Sequence, residues 1–249
     1  MEEKQTSKIF GIRAIIEAIH AGSSIDKVFL QKDVSGTLIN ELKQLIKNNN
    51  ITSSIVPVEK LDRMSRNNNH QGAAALIAPI SFYDLDSLIT KTLEKKETPL
   101  FILLDQISDV RNFGAIIRTA ECTGAHGVII PKSGNAPVNG ETVKTSAGAA
   151  FNVPICKVDH IKDAIFMLQA ADIQIVCATE KTEDTIYDVD LKQPTALVMG
   201  SEDRGINPSI LKLANAKAKL PLLGRIGSLN VSVACGAFLY EAVRQRSNL

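Results

Sequence analysis

Residues 103–130 read LLDQISDVRNFGAIIRTAECTGAHGVII, and the parsing of this stretch decides the rest of the chain. The apolar run Leu100–Leu104 ends in a polar loop with Asn112 and Gly114; a helix beginning near Phe113 then carries Arg118, and Gly127–Ile130 is apolar again. Strand, loop, helix and strand within roughly thirty residues form the repeating unit of a parallel sheet. At about 100° per residue, Arg118 faces away from Ile116 and Ile117 and can project toward the loop end. Alone, such an arginine is an ordinary surface group.

Outward from this unit, the runs Ile173–Ala178 and Thr195–Met199 repeat the pattern between helix-like segments. Nearly continuous apolar strands imply a parallel sheet covered on both faces, an α/β fold. Toward the N-terminus the units are smaller. Ile12, Ile15, Ile16 and Ile19 lie at helical spacing within Lys8–His20, and Val28-Phe29-Leu30 is strand-like. Leu38, Ile39, Leu42, Leu45 and Ile46 repeat the stripe until Asn48-Asn49-Asn50 ends it; Thr52–Val56, a helix around Glu59–Met64 and the run Ala73–Ala78 follow. The expected division is a small α/β module at 1–78, a linker at 79–98 containing Glu94-Lys95-Lys96-Glu97, and a larger domain at 99–249.

Composition narrows the function classes. With 249 residues, 45% hydrophobic and 22% charged, the chain has the makeup of a packed globular protein and not of a disordered or fibrous one. Cys122, Cys156, Cys177 and Cys235 form no CxxC pair, which points to reduced cytosolic thiols, no bound metal and no disulfide scaffold. MEEKQTSKIF lacks the pattern of a secretory signal and no run of about 18 apolar residues occurs, so a cytoplasmic protein without membrane association is expected. The net charge of +1 is unevenly spread. Leu211–Leu249 holds six basic residues against Glu241, whereas Asp159–Asp190 holds eight acids against two lysines. A polyanion would prefer the first tract.

Ligands of open α/β sheets sit beyond the carboxyl ends of strands. Besides 103–130, two such places draw attention. LVMGSEDRGI, residues 197–206, empties a strand into an acidic turn where Gly200 and Gly205 let backbone approach a ligand. LPLLGRIGSLNVSVACGAFLYEAVRQR, residues 220–246, places Ser228 and Asn230 before a helix of small residues. Neither a P-loop nor a GxGxxG follows any strand, which disfavours nucleotide hydrolysis and a dinucleotide-dependent dehydrogenase. In the small module, SRNNNHQG (65–72) with Lys60 and Arg63 nearby could meet RNA through phosphate contacts and amide hydrogen bonds to base edges.

In their order and spelling, three motifs over Pro99–Arg246 resemble the SpoU family of RNA ribose 2′-O-methyltransferases, in the SPOUT superfamily: Asn112, Gly114 and Arg118; Gly200, Glu202 and Gly205; Ser228, Leu229, Asn230 and Ser232. IFGIRAIIEAI and HQGAAALI of the first module resemble the family's L30e-like RNA-binding domain. Asp203-Arg204 depart from the small or acidic residues common there. The resemblance implies a deep trefoil knot, and S-adenosylmethionine held near Thr179, Gly200, Ser201, Gly205, Leu220, Leu229 and Asn230, leaving S-adenosylhomocysteine as product. It implies catalytic roles for Arg118, Asn112, Glu202, Ser228 and Asn230, RNA contacts from Lys60, Arg63, Arg66, Asn69, His70 and Gln71, and a homodimer acting without metal and without DNA. A guanidinium is a poor base, so Arg118 is expected to stabilise the developing alkoxide and pin a phosphate. The implied substrate is a guanosine of 23S ribosomal RNA, free or in an assembling subunit. A tRNA ribose methyltransferase and an inactive RNA-binding ribosome-assembly factor are the alternatives.

Overall fold

The computed structural model describes residues 8–66 and 69–247. Its contacts divide the chain into two compact units, one from the N-terminal part through Ser81 with Pro137–Glu141, the other from Phe82–Ala136 with Thr142 onward.

The first unit runs β1 (Lys8–Phe10), α1 (Ile12–His20), β2 (Ile25–Gln31), α2 (Thr37–Asn48), β3 (Ser53–Val56), α3 (Val58–Ser65) and β4 (Ala73–Ile77). Its sheet has the order β1-β4-β2-β3, antiparallel where β4 meets β1 and β2, parallel between β2 and β3. The two isoleucine-rich stripes do what their spacing predicts. Ile15 and Ile16 of α1 and Ile39, Leu42 and Ile46 of α2 bury against Val28, Leu30, Ala73 and Ala75 of the sheet. The alternate residues Phe29 and Ala74 face the other way, against Leu61 of α3. Lys8–Phe10, expected at the head of the first helix, are instead a strand paired with β4. Gly11, at φ 94°, turns the chain from that strand into α1, a conformation that suits a residue without Cβ.

The second unit comprises α4 (Leu85–Glu94), β5 (Leu100–Asp105), α5 (Val110–Cys122), β6 (Gly127–Pro131), β7 (Ile155–Val158), α7 (Ile161–Ala170), β8 (Gln174–Ala178), β9 (Thr195–Gly200), α8 (Pro208–Leu211), β10 (Ala216–Ala218) and α9 (Val231–Arg246), with the short α6 (Gly140–Thr145) reaching it from the Pro137–Glu141 segment. Six strands in the order β10-β8-β9-β5-β6-β7 make one sheet, parallel at every pairing. All residues of β5 and β9 are buried, as continuous apolar runs require. Phe101, Leu103, Ile129 and Val198 pack beneath α4 and α7, and the alternate residues Ile102, Leu104 and Val128 turn to the opposite face.

Three expectations change. The linker foreseen at 79–98 is mostly α4, which drives Leu85, Leu88 and Ile89 into the core of the second unit; its apolar spacing was a buried face and not the residue of a connector. The helix after β5 begins at Val110 and not near Phe113, because Asp109 caps it by accepting from the Arg111 and Asn112 N–H groups. Asn112 is therefore in a first helical turn, and Gly114 lies inside the helix. The basic C-terminal tract is partly consumed internally: Arg244 forms a two-point pair with Glu241, and Arg246 donates to the carbonyls of Thr98, Pro99, Leu191 and Gln193.

Candidate active site

The three motifs meet at one side chain. Asn230 precedes α9 and caps it, its Oδ1 accepting from the Ser232 N–H at 3.0 Å, the Ser232 hydroxyl at 2.6 Å and the Val233 N–H at 3.4 Å. Its Nδ2 donates to Glu202 Oε1 at 2.7 Å and to Asn112 Oδ1 at 3.0 Å. Glu202 also stands 3.5 Å from the Val231 N–H. Chemistry fixes the amide orientations along this chain. Backbone N–H groups can only donate and a carboxylate can only accept, so Asn230 must present oxygen to the helix and nitrogen to Glu202. The Asn112 oxygen must then face Asn230, which leaves the Asn112 amino group turned outward with no partner among the described residues.

Each position depends on local backbone structure. Burial of Gly114 brings α5 against Thr145, whose hydroxyl donates to the Val110 carbonyl at 3.2 Å; a Cβ at Gly114 would overlap the Thr145 side chain. Asp109, at the helix start, has its carboxyl held below the usual range by the Asn112 and Arg111 N–H groups. After β9 the chain closes on itself, with the Gly205 N–H donating to the Ser201 carbonyl at 2.8 Å. A Cβ on Gly200 would strike the Gly205 and Ile206 backbone, and Gly205 sits at φ 69°. These two glycines thus close a turn, besides leaving room beside the backbone for a ligand. On the α9 side, Gly236 keeps its backbone near Thr119 of α5.

Beside this cluster lies a cavity of about 400 Å³, in the size range of small-ligand sites. The loops after β8, β9 and β10 and the segment before α9 line it, and Ala178, Gly200, Ala218 and Ala234 keep it open by being small. Thr179, Gly200, Ser201, Gly205, Leu220, Leu229 and Asn230 all lie on its wall, together with Glu202 and Ser228. Sequence reasoning missed Lys181, Asp203, Arg204 and Lys219 on the same wall. From Leu220 to Leu229 no backbone N–H or carbonyl bonds a described residue, so peptide groups there are available to a ligand. A second cavity, of about 470 Å³ around Asp105, His160 and Phe166, contains none of the expected residues.

Asn112 and Arg118 do not line the cavity. Asn112 is joined to its wall through Asn230, whereas Arg118 is exposed and has no hydrogen bond or ion pair with a described residue. Six positions along a helix displace it from Asn112 by ~9 Å and about 120° of rotation. In the first unit Lys60, Arg63, Arg66, Asn69 and Gln71 are exposed, while His70 is buried. The His70 ring bonds internally: its Nδ1 accepts the Gly72 N–H at 3.0 Å and its Nε2 stands 3.0 Å from Asp62 Oδ1. Among the described residues no group of three His, Cys, Asp or Glu side chains could hold a metal ion, and no helix is long and apolar enough to cross a membrane.

Comparison with known proteins places this geometry. The profile of the SpoU rRNA methylase family matches residues 99–240, and that of the RNA 2′-O ribose methyltransferase substrate-binding domain matches residues 8–83. YacO of Bacillus subtilis (strain 168), named as a TrmH family tRNA/rRNA methyltransferase, is 32% identical over 98% of both chains. A Staphylococcus aureus (strain MSSA476) protein named for the same family is 35% identical over 97% of both. Among solved structures, the SpoU methyltransferase AviRb from Streptomyces viridochromogenes, in complex with the cofactor AdoMet, aligns with a TM-score of 0.61 at 25% identity, over 96% of this chain and 90% of its own.

Proposed function

Because the chain belongs to the SpoU methylase family, whose members are RNA methyltransferases, we propose that it transfers a methyl group from S-adenosylmethionine to a ribose 2′-hydroxyl of RNA, with a guanosine of 23S ribosomal RNA as the target. The observation that carries this reading is the convergence of Asn112 and Glu202 on Asn230, with Glu202 and Asn230 on the wall of one cavity. Its uncommitted peptide groups at Leu220–Leu229 and its small-residue floor suit an adenosyl group, and the reading keeps the family's trefoil knot around it. When bound, S-adenosylmethionine supplies a methyl on a positively charged sulfur.

The chain's own residues then align the acceptor. Both Asn230 donors are committed to Glu202 and Asn112, so Asn230 acts as a brace. The outward amino group of Asn112 is the donor left to hold a ribose oxygen or phosphate, and the exposed Ser228 hydroxyl is a second. Arg118 supplies a fixed positive charge, which stabilises the alkoxide that develops as the 2′-hydroxyl gives its proton to solvent water. Since Arg118 lies off its own chain's cavity, the reading requires a homodimer in which a second copy brings it across. Val233, Ala237 and Tyr240, an exposed stripe on α9, provide an apolar surface for that contact. The first unit delivers RNA through Arg63, Arg66, Asn69 and Gln71, with the reacting nucleotide unpaired.

The test is to map 2′-O-methylation on ribosomal and transfer RNA from cells with and without the protein. Loss of a single mark on 23S RNA is expected, a lost tRNA mark would reassign the substrate, and no lost mark would remove the activity. Mixing the inactive Arg118→Ala and Asn112→Ala proteins should restore part of the turnover through mixed dimers with one intact site.

A further inference from the structure

Resting on the RNA-delivery role proposed above, we infer that His70 is a positioning residue for substrate: its ring ties residues 69–72, ahead of β4, to α3, so that Arg66 at the end of that helix and Asn69 and Gln71 are presented to RNA in one fixed arrangement. Among its described residues the backbone of this loop enters the left-handed region at Arg66 (φ 53°), Gln71 (φ 50°) and Gly72 (φ 82°). Non-glycine residues hold that conformation only where the surroundings over-determine it. Between exposed Asn69 and Gln71, His70 is buried, at 8% exposure.

The ring nitrogens show how the pin works. Nδ1 accepts the Gly72 N–H at 3.0 Å and Nε2 faces Asp62 Oδ1 at 3.0 Å. An amide can only donate and a carboxylate can only accept, so both contacts are satisfied together only by a neutral ring protonated on Nε2. That ring bridges the loop to α3, the helix that carries Lys60 and Arg63. Around it, the His70 carbonyl accepts from Ala73 N–H at 2.9 Å, the Gly72 carbonyl from Gln31 N–H at 2.8 Å, and Asn69 Oδ1 from Gln71 N–H at 3.2 Å. A Cβ at Gly72 would come within 2.7 Å of Val34, so the loop is also seated against the chain after β2. With both nitrogens committed, His70 has no group left to touch RNA. Among its described residues the loop offers outward the Arg66 guanidinium and the carboxamides of Asn69 and Gln71, a set that can meet phosphate and base edges of a looped RNA. Fixing such groups beforehand lowers the ordering cost of binding and leaves the methyl-transfer chemistry untouched.

The experiment compares His70→Asn with His70→Gln in the full-length protein. The Asn Oδ1 stands where Nδ1 stood and can still accept the Gly72 N–H; the Gln amide reaches Asp62 and leaves that N–H without a partner. Filter binding to protein-free 23S ribosomal RNA, with bulk tRNA as a second probe, should show His70→Gln and His70→Ala weakened roughly tenfold and His70→Asn within about threefold of wild type. Calorimetric affinity for S-adenosylhomocysteine should be equal in all of them. Should the alanine variant fail to fold, the Asn and Gln pair decides. Indistinguishable RNA affinities for that pair, with Arg66→Ala still weakened, overturn the pin and leave RNA delivery standing. Unchanged affinity in an Arg63→Ala/Arg66→Ala protein removes the RNA-delivery reading itself.

Discussion

Asn230→Asp isolates the brace at the centre of the site. The substitution keeps an oxygen where Oδ1 caps α9, so the Ser232 and Val233 contacts survive. It replaces Nδ2 by a second oxygen, set 2.7 Å from Glu202 Oε1 and 3.0 Å from Asn112 Oδ1. Two hydrogen bonds go, one of them to a carboxylate, for a gross loss of ~3 kcal/mol. The site is exposed and the Asn112 amide can turn to donate instead, so the net loss is about 2 kcal/mol. For a unit of this size that lowers the melting temperature by roughly 4 to 8 °C. The sign with pH follows from the new carboxylate pair. Folded, the two acids share a proton that the unfolded chain has already released, so the folded state binds more protons and its stability falls as pH rises. Thermal denaturation followed by circular dichroism at about pH 5 and about pH 8 should therefore show the deficit growing toward the higher value. Equal melting temperatures for variant and wild type at both would refute the bridging geometry.

Gly114→Ala should destabilise the second unit by about 1–3 kcal/mol, because its methyl meets Thr145 on a neighbouring element that cannot retreat freely; calorimetric unfolding measures this. Asp109→Asn keeps a capping oxygen but removes its charge from the α5 N-terminus, a loss of about 0.5 kcal/mol at neutral pH. Since the Asp109 carboxyl is held below its usual range when folded, its advantage exists above the unfolded value and fades as pH falls through the folded one, so wild type and variant should converge in acid. Burial pushes the Cys156, Cys177 and Cys235 thiols up to about 12, whereas Cys122 is exposed. A thiol reagent at mildly alkaline pH should titrate one cysteine in native protein and four after denaturation; two or more fast-reacting native thiols would contradict the packing.

What could be read beforehand divides along physical lines. Apolar runs at Leu100–Leu104 and Thr195–Met199 became the two fully buried strands, since burial on both faces leaves a compositional trace. The strands that escaped notice are three or four residues long: Lys8–Phe10, Ile155–Val158 and Ala216–Ala218. Ala-Lys-Ala is too short for its alternation to register, and only pairing with β8 makes it a strand. Motif order pointed to Glu202, Ser228 and Asn230, which share one cavity wall, and to Asn112, which bonds Asn230 without lining it, but the division of labour within the site was hidden. That Asn230 is a brace and Asn112 the free donor depends on which groups around them can only donate or only accept, a fact of three-dimensional neighbourhood. Asp109 was legible in principle, as an acid three residues ahead of Asn112 at a helix start. The burial of His70 was not, because its polar surroundings in sequence conceal Asp62 across the turn of α3.

The stretch from Leu220 to Leu229 has a consequence of its own. Most of a folded chain satisfies its amides from within, so their exchange with solvent deuterium reports how often the protein opens. Here the amides have nothing internal to open from, and the rate reports instead on whatever is seated against them. Deuterium uptake over these residues is thus an occupancy gauge for the cavity, readable without turnover, without a label on the nucleic acid and without knowing which nucleotide is the target.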